Sequence, residues 1–176
     1  MANTNAPYGF RLWGRLVPGT GSIAVGPGSP AGATASSSGP LTVGSATTLK
    51  VGDPIKASLG IGYLAAGTQA IFGICNSPVP GWGETATQKH YPEILPCDDQ
   101  TIWRCQSIGT VNATAGYCGM AKKYKIGGTT SGYTGINLAT AGTGALSPIA
   151  LAPGSAYGTF AELLVMVVRG QFYGAA

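Results

Sequence analysis

Most of the chain alternates between short apolar runs and turn residues. Residues 48–51 lead into a Gly-Asp-Pro turn, and residues 70–75 and 101–108 are further apolar runs. Within the last of these, Trp103 and Arg104 point to opposite faces, because successive side chains of a strand alternate. Short strands at near-regular spacing, separated by turn residues, predict an all-β fold. We expect a small β-barrel or sandwich with long loops.

The strongest apolar run lies near the C-terminus, at residues 159–169. Its Ala-Glu-Leu-Leu segment favours a helix, whereas the Val-Met-Val-Val segment that follows favours a strand. The all-β context decides for a strand. Both of its faces are apolar, which is typical of a central core strand or of a strand buried in a subunit interface.

Residues 1–46 predict an extended N-terminal arm followed by a Gly/Ser-rich loop, ahead of a β-rich core domain at 47–176 with a Pro-rich loop inserted at about 77–99. The arm contains Tyr8, Phe10 and Trp13 together with arginines and no acid. Aromatic residues and arginine are typical interface anchors. Two interpretations stay open: an edge strand that packs its aromatics on its own core, or an arm whose aromatics fill pockets on a neighbouring chain.

The composition narrows the class of protein. The chain has 176 residues with 29 glycines and 12 prolines, and only 9% of its residues are charged, whereas 44% are hydrophobic. Global disorder normally needs more charge and fewer apolar residues. No apolar stretch is long enough for a membrane helix, and residues 1–5 show no signal-peptide start. A surface with so few charges suits a subunit that is buried against partners in an assembly better than it suits a soluble monomer.

Charge and chemistry point away from nucleic acid and from catalysis. The net charge is +4, and the short lysine cluster at 122–125 is more typical of a solvated turn than of a nucleic-acid surface. The single histidine, His90, has no nucleophile motif around it, and Asp98 and Asp99 suit an Asx turn. We expect no enzyme activity, no metal and no cofactor.

The cysteines do not form a recognisable site. Their positions, 75, 97, 105 and 118, lack the paired spacing of structural zinc. Cys75 and Cys105 lie in apolar runs and are expected to be reduced core thiols. A Cys97–Cys105 disulfide is the less favoured alternative.

The opening Ala-Asn-Thr-Asn-Ala-Pro-Tyr-Gly-Phe-Arg (2–11) resembles the start of a family of tailed-phage virion proteins, the head decoration or cement proteins. Weaker matches follow at 51–56, 70–74, 101–107, 134–138 and 161–169. The Gly/Ser tract at 19–44 and the segment 82–96 depart from the family pattern. The resemblance therefore touches most of the chain in short patches.

The resemblance implies a structural protein on the outer surface of the capsid, made in the host cytoplasm. Such a protein binds the phage major capsid protein and clamps neighbouring subunits, commonly as a homotrimer, with no nucleic acid or membrane partner. The implied capsid contacts are in the arm, at Pro7, Tyr8, Phe10, Arg11 and Trp13. The implied core or trimer contacts are Trp103, Leu163, Val165 and Val167.

Three alternatives remain. The chain could be a minor shell protein, or a tail or fibre module that binds host glycans by stacking on Trp82, Tyr91 and Trp103. A small hydrolase using His90 with Asp98 or Asp99 is the third, and no residue pattern favours it.

Overall fold

The computed structural model describes residues 3, 8–15, 42–43, 49–58, 61–76, 94–98, 100–113, 116–118, 122–128, 133–168 and 170. This part of the chain contains strands and no helix, so the all-β prediction is confirmed. It accordingly has no helix that could cross a membrane. The strands are β1 Arg11–Arg15, β2 Thr42–Val43, β3 Pro54–Ser58, β4 Ile61–Leu64, β5 Gly73–Cys75, β6 Ile94–Pro96, β7 Thr101–Ile108, β8 Thr110–Val111, β9 Tyr124–Gly128, β10 Thr134–Ala141, β11 Leu146–Leu151, β12 Gly158–Thr159 and β13 Glu162–Val167.

The larger sheet has the strand order β1-β7-β10-β9-β11-β13, and β13 pairs again with β7. The sheet therefore curls back on itself. Two of its strand pairings are short: β7 and β10 share two residue pairs, and β9 and β11 share one. No continuous ladder runs all the way round, and the barrel is not closed.

The smaller sheet has the order β2-β4-β3-β5-β6. It is tied to the larger sheet by backbone contacts rather than by a shared strand. Gly67 exchanges hydrogen bonds with Ile126 of β9, at 3.0 and 2.8 Å. Ile71, just before β5, forms a bridge with Gly170. The two sheets consequently enclose one apolar core.

The strand β13 occupies the centre of that core. It pairs with β11 on one side and with β7 on the other, and all of its residues after Glu162 are buried. Its two apolar faces are therefore explained by burial within a single chain. In the neighbouring strand, Pro148 lies next to a register shift in its pairing with β13, as expected for a residue that lacks a backbone donor.

The core contains the largest fully buried side chain, Trp103, together with residues from both sheets. Its other members include Phe10, Ile71, Ile74, Cys97, Cys105, Ile126, Ile136, Leu146, Leu163, Val165 and Val167. A short strand β8 pairs with β12 outside the main sheets. This pair holds the loop that precedes β13.

Candidate functional site

The N-terminal segment is fastened to the domain by a close crossing of two backbones. Phe10 donates its backbone N–H to the carbonyl of Gly52 at 2.7 Å, and Gly52 donates its own N–H to Cys75 at 2.8 Å. Both Gly9 and Gly52 have positive φ, of 75° and 91°. A Cβ on Gly52 would lie 2.5 Å from the Tyr8 carbonyl oxygen. Only glycine fits both the conformation and the space at this crossing.

The turn that holds the crossing is itself pinned by a buried carboxylate. Asp53 is 3% exposed and accepts a hydrogen bond from the Lys50 backbone N–H at 2.8 Å and from the Thr134 hydroxyl at 3.0 Å. Burial raises the pKa of Asp53, and these two hydrogen bonds partly offset that effect. The bond to Thr134 links the Gly-Asp-Pro turn to the start of β10.

Beyond the crossing, the segment becomes β1, an edge strand. Arg11 lies opposite Arg104 of β7, and Leu12 lies opposite Trp103. The register then shifts so that Gly14 pairs with Ile102, which leaves Trp13 as the extra residue of a β-bulge. Bulges commonly redirect side chains. Leu12 and Trp13 are 41% and 45% exposed.

Five side chains form a connected group on the outer face, which we call the arm cluster: Tyr8, Arg11, Trp13, Arg104 and Glu162. The Tyr8 hydroxyl donates to Glu162 Oε1 at 2.7 Å, and Arg104 Nε donates to Glu162 Oε2 at 2.6 Å. A second Arg104 nitrogen, Nη2, bonds the same oxygen. The guanidinium of Arg11 lies 3.6 Å above the Tyr8 ring, and that of Arg104 lies 5.6 Å from the Trp13 ring.

The arm cluster is held in one arrangement by these contacts. Burial raises the pKa of Tyr8, and the hydrogen bond to Glu162 raises it further. Glu162 bridges Tyr8 and Arg104 across three segments of the chain. Such a network suits a preformed contact surface, because little side-chain freedom is lost on binding.

A second exposed feature, the aromatic tip, lies just before β13 and comprises residues 155–160. Tyr157 is 57% exposed and Phe160 is 38% exposed. The backbone of Phe160 has φ of 59°, which is unusual for a bulky residue. Asn3 donates to the carbonyls of Ala156 and Thr159, and its side-chain oxygen accepts from Ser155 and Ala156. The N-terminal segment therefore holds this tip in place.

The predicted arm contacts do not share one environment. Pro7 lies outside the described residues. Phe10 is 2% exposed and belongs to the core of its own chain, so in this arrangement it is not an exposed anchor. Tyr8 is partly buried, and Arg11 and Trp13 are exposed. Phe10 therefore follows the first interpretation, an edge strand packed on its own core, whereas a contact of the exposed Trp13 with a neighbouring chain stays a prediction.

The predicted core or trimer contacts all lie in the interior. Trp103 is 1% exposed, Leu163 1%, Val165 0% and Val167 2%. Their burial within one chain leaves none of them free for a trimer contact. The burial of Trp103 also removes it from the proposed glycan platforms, while Trp82 and Tyr91 lie outside the described residues.

The side chains considered for catalysis are not brought together in the described part of the chain. Asp98 Oδ1 accepts from the Gln100 backbone N–H at 3.1 Å and from the Thr101 hydroxyl, which is the Asx turn expected from the sequence. His90 and Asp99 lie outside the described residues. No group of three potential metal ligands occurs among the residues that are described.

The Cys97–Cys105 disulfide alternative is wrong, because all four cysteines are free. Cys75, Cys97 and Cys105 are buried, and Cys118 is exposed. Burial raises the pKa of both Cys97 and Cys105. These two thiols are therefore protonated core residues rather than nucleophiles or metal ligands.

Two members of the arm cluster, Arg104 and Glu162, were not identified from the sequence. The sequence placed Arg104 on the face opposite Trp103, but the pairing of Arg104 with Glu162 depends on β7 and β13 being neighbours. The aromatic tip was missed as well. Its signal was present as two aromatics in an uncharged turn, Tyr-Gly-Thr-Phe at 157–160.

Comparison with protein-family models, with curated proteins and with solved structures finds no significant match to this chain.

Proposed function

We propose that the chain is a structural virion protein that binds the outside of an icosahedral phage capsid and clamps neighbouring major capsid protein subunits. The observation that carries the proposal is the arm cluster beside the exposed β1 edge. A bulged, exposed Trp13 and an exposed Arg11 are the residue types that dominate protein interfaces. They stand on a strand fastened at the glycine crossing, so the contact surface is in place before docking.

The composition supports the same proposal. Only 9% of the residues are charged, so much of the surface is neutral. Such a surface suits a protein that stays bound to neighbouring subunits. The mechanism is thermodynamic linkage, since a protein that binds only the assembled shell stabilises that shell. A homotrimer would add avidity across adjacent subunits. Its contacts would have to involve exposed side chains, and two are available: Val51 in the turn before β3 and Leu64 at the end of β4.

The first test is the copy number of the chain in purified virions relative to the main shell protein, by quantitative mass spectrometry. The proposal expects a ratio near one to one or a simple fraction of it across the shell. A handful of copies per particle would refute a shell-wide clamp.

The second test is add-back of purified chain to particles that lack it. The arm variant replaces Leu12 and Trp13 by alanine and leaves the buried Phe10 intact. The matched control is Tyr157→Ala, which removes an exposed aromatic elsewhere. We expect the arm variant to lose most particle binding and the control to retain it. Equal binding by the two variants would contradict the role of the arm.

The aromatic tip favours a second candidate, a tail or fibre module that binds host glycans. Exposed aromatic rings on a fastened, uncharged loop can stack on sugar rings, and Tyr157 is the most exposed of the large apolar side chains described. This candidate expects few copies per virion and sugar binding that is lost in Tyr157→Ala. Copy number, together with sugar binding by the unaltered chain and by Tyr157→Ala, therefore separates the candidates.

A further inference from the structure

The outer edge of β1 is unpaired in the described part of the chain. β1 is the terminal strand of the larger sheet and pairs with β7 through one edge only. An unpaired edge offers a row of backbone donors and acceptors to an incoming strand. Arg11, Leu12 and Trp13 are all exposed along it.

The two faces of this edge differ in chemistry. Residues directly opposite each other in paired strands lie on the same face of a sheet. Arg11 therefore shares a face with Arg104, whereas Leu12 shares the other face with Trp103. At residues 11 and 12, one face therefore carries a cation and the other carries an apolar side chain. An incoming strand that matches both must alternate acidic and apolar side chains.

Among the described residues, no carboxylate satisfies that need. The only acid in the arm cluster, Glu162, is already bonded to Tyr8 and Arg104. Among the described residues no ion pair joins Arg11 to a carboxylate, and its guanidinium lies over the Tyr8 ring. Residues 1–52 contain no acid at all. Within the described part of the chain, the positive charge of Arg11 therefore has no carboxylate partner.

A second copy of the chain is a poor occupant of the edge. Two β1 strands side by side would bring Arg11 from each copy to one seam, and residues 1–52 supply no acid to it. Like charges across paired strands are destabilising. The same arginines therefore discourage self-association of the edge and select an acidic partner.

We propose that the outer edge of β1 binds an extended segment of the shell protein in which carboxylates alternate with apolar side chains. The segment adds one strand to the larger sheet. Its carboxylates lie beside Arg11, and its apolar side chains lie beside Leu12. This inference rests on the proposed function, for which it supplies the partner's chemistry.

The probe is a synthetic peptide, acetyl-Thr-Glu-Val-Glu-Val-Glu-Thr-amide, titrated into the full chain at low and moderate salt. A control peptide carries lysine in place of each glutamate. Two further versions are N-methylated, one at the valines and the other at the glutamates, because alternate N–H groups of a strand face opposite edges. NMR of the backbone amides reports where each peptide binds.

Four results support strand addition. The acidic peptide binds, weakens with salt and perturbs residues 11–15. The lysine peptide does not bind. Exactly one of the two N-methylated peptides retains binding, since only one set of N–H groups faces β1. Arg11→Glu weakens the acidic peptide on the order of tenfold, whereas the matched reversal Lys122→Glu, at another exposed position, leaves it unchanged.

Three results overturn it: equal binding of acidic and basic peptides, equal binding of both N-methylated peptides, or perturbations away from β1. The N-methylated pair uses the unaltered chain, so the conclusion does not depend on a variant folding. Failure here is distinct from failure of the proposed function. A chain that coats particles but ignores Arg11→Glu refutes this edge alone, whereas absence from the shell refutes the capsid role.

Discussion

The glycine crossing between the N-terminal segment and the Gly-Asp-Pro turn can be tested by Gly52→Ala. At this residue φ is 91°, and the added Cβ would lie 2.5 Å from the Tyr8 oxygen and 2.9 Å from the Phe10 nitrogen. Backbone atoms cannot rotate away as a side chain can. One of the two backbones must therefore move.

The matched control is Gly154→Ala. Gly154 has φ of 82°, and nothing lies within 4 Å of an added Cβ there. Both substitutions incur the same conformational cost of about 1–2 kcal/mol for a left-handed residue. Their difference therefore isolates the close contact from the backbone strain.

The extra cost at Gly52 follows from what the displacement breaks. The hydrogen bond from Phe10 to Gly52, at 2.7 Å, contributes about 1 kcal/mol. Partial withdrawal of the Phe10 ring from the core costs up to about 2 kcal/mol more. We therefore expect Gly52→Ala to lower the free energy of unfolding by about 2–3 kcal/mol more than Gly154→Ala does.

The assay is urea denaturation of the unaltered chain and both variants, followed by tryptophan fluorescence and by circular dichroism. Hydrogen exchange of the Phe10 and Arg11 amides reports whether the N-terminal segment has detached. Equal destabilisation by the two variants would refute the reasoning, because the close contact would then add nothing to the backbone cost.

Three further predictions concern the residues that hold the arm cluster and the aromatic tip. Because burial raises the pKa of Asp53, ionisation of this carboxyl lowers the stability of the fold as pH rises through the raised value. Asp53→Asn should therefore become more stable relative to the unaltered chain as pH rises. Parallel pH profiles of the urea midpoints would contradict this. Tyr8→Phe removes the hydrogen bond to Glu162 and should cost about 1–2 kcal/mol, whereas Tyr157→Phe should cost nothing measurable; equal urea midpoints of the two variants would exclude the bond. Asn3→Ala should speed hydrogen exchange in the aromatic tip while β13 stays protected, and an unchanged tip would show that Asn3 does not hold it.

The sequence was sufficient to predict the class of fold and the position of one of its main turns. Period-two alternation in residues 101–108 placed Trp103 and Arg104 on opposite faces, because strand geometry alone sets that pattern. The Gly-Asp-Pro turn was equally visible, since few residues adopt the required backbone. The apolar run at 159–169 was predicted as a strand with two apolar faces, in the core or in a subunit interface, and β13 within it is buried inside a single chain.

Only the tertiary structure decided how these segments meet. Phe10 and Trp13 are both aromatic residues of one segment, yet one enters the core and the other is exposed by a bulge. Arg104 and Glu162 are 58 positions apart and become partners through the pairing of β7 with β13. Local pattern follows from short-range backbone geometry, which the sequence carries. Contacts between distant segments depend on strand order and register, and these are settled only when the whole chain packs its core.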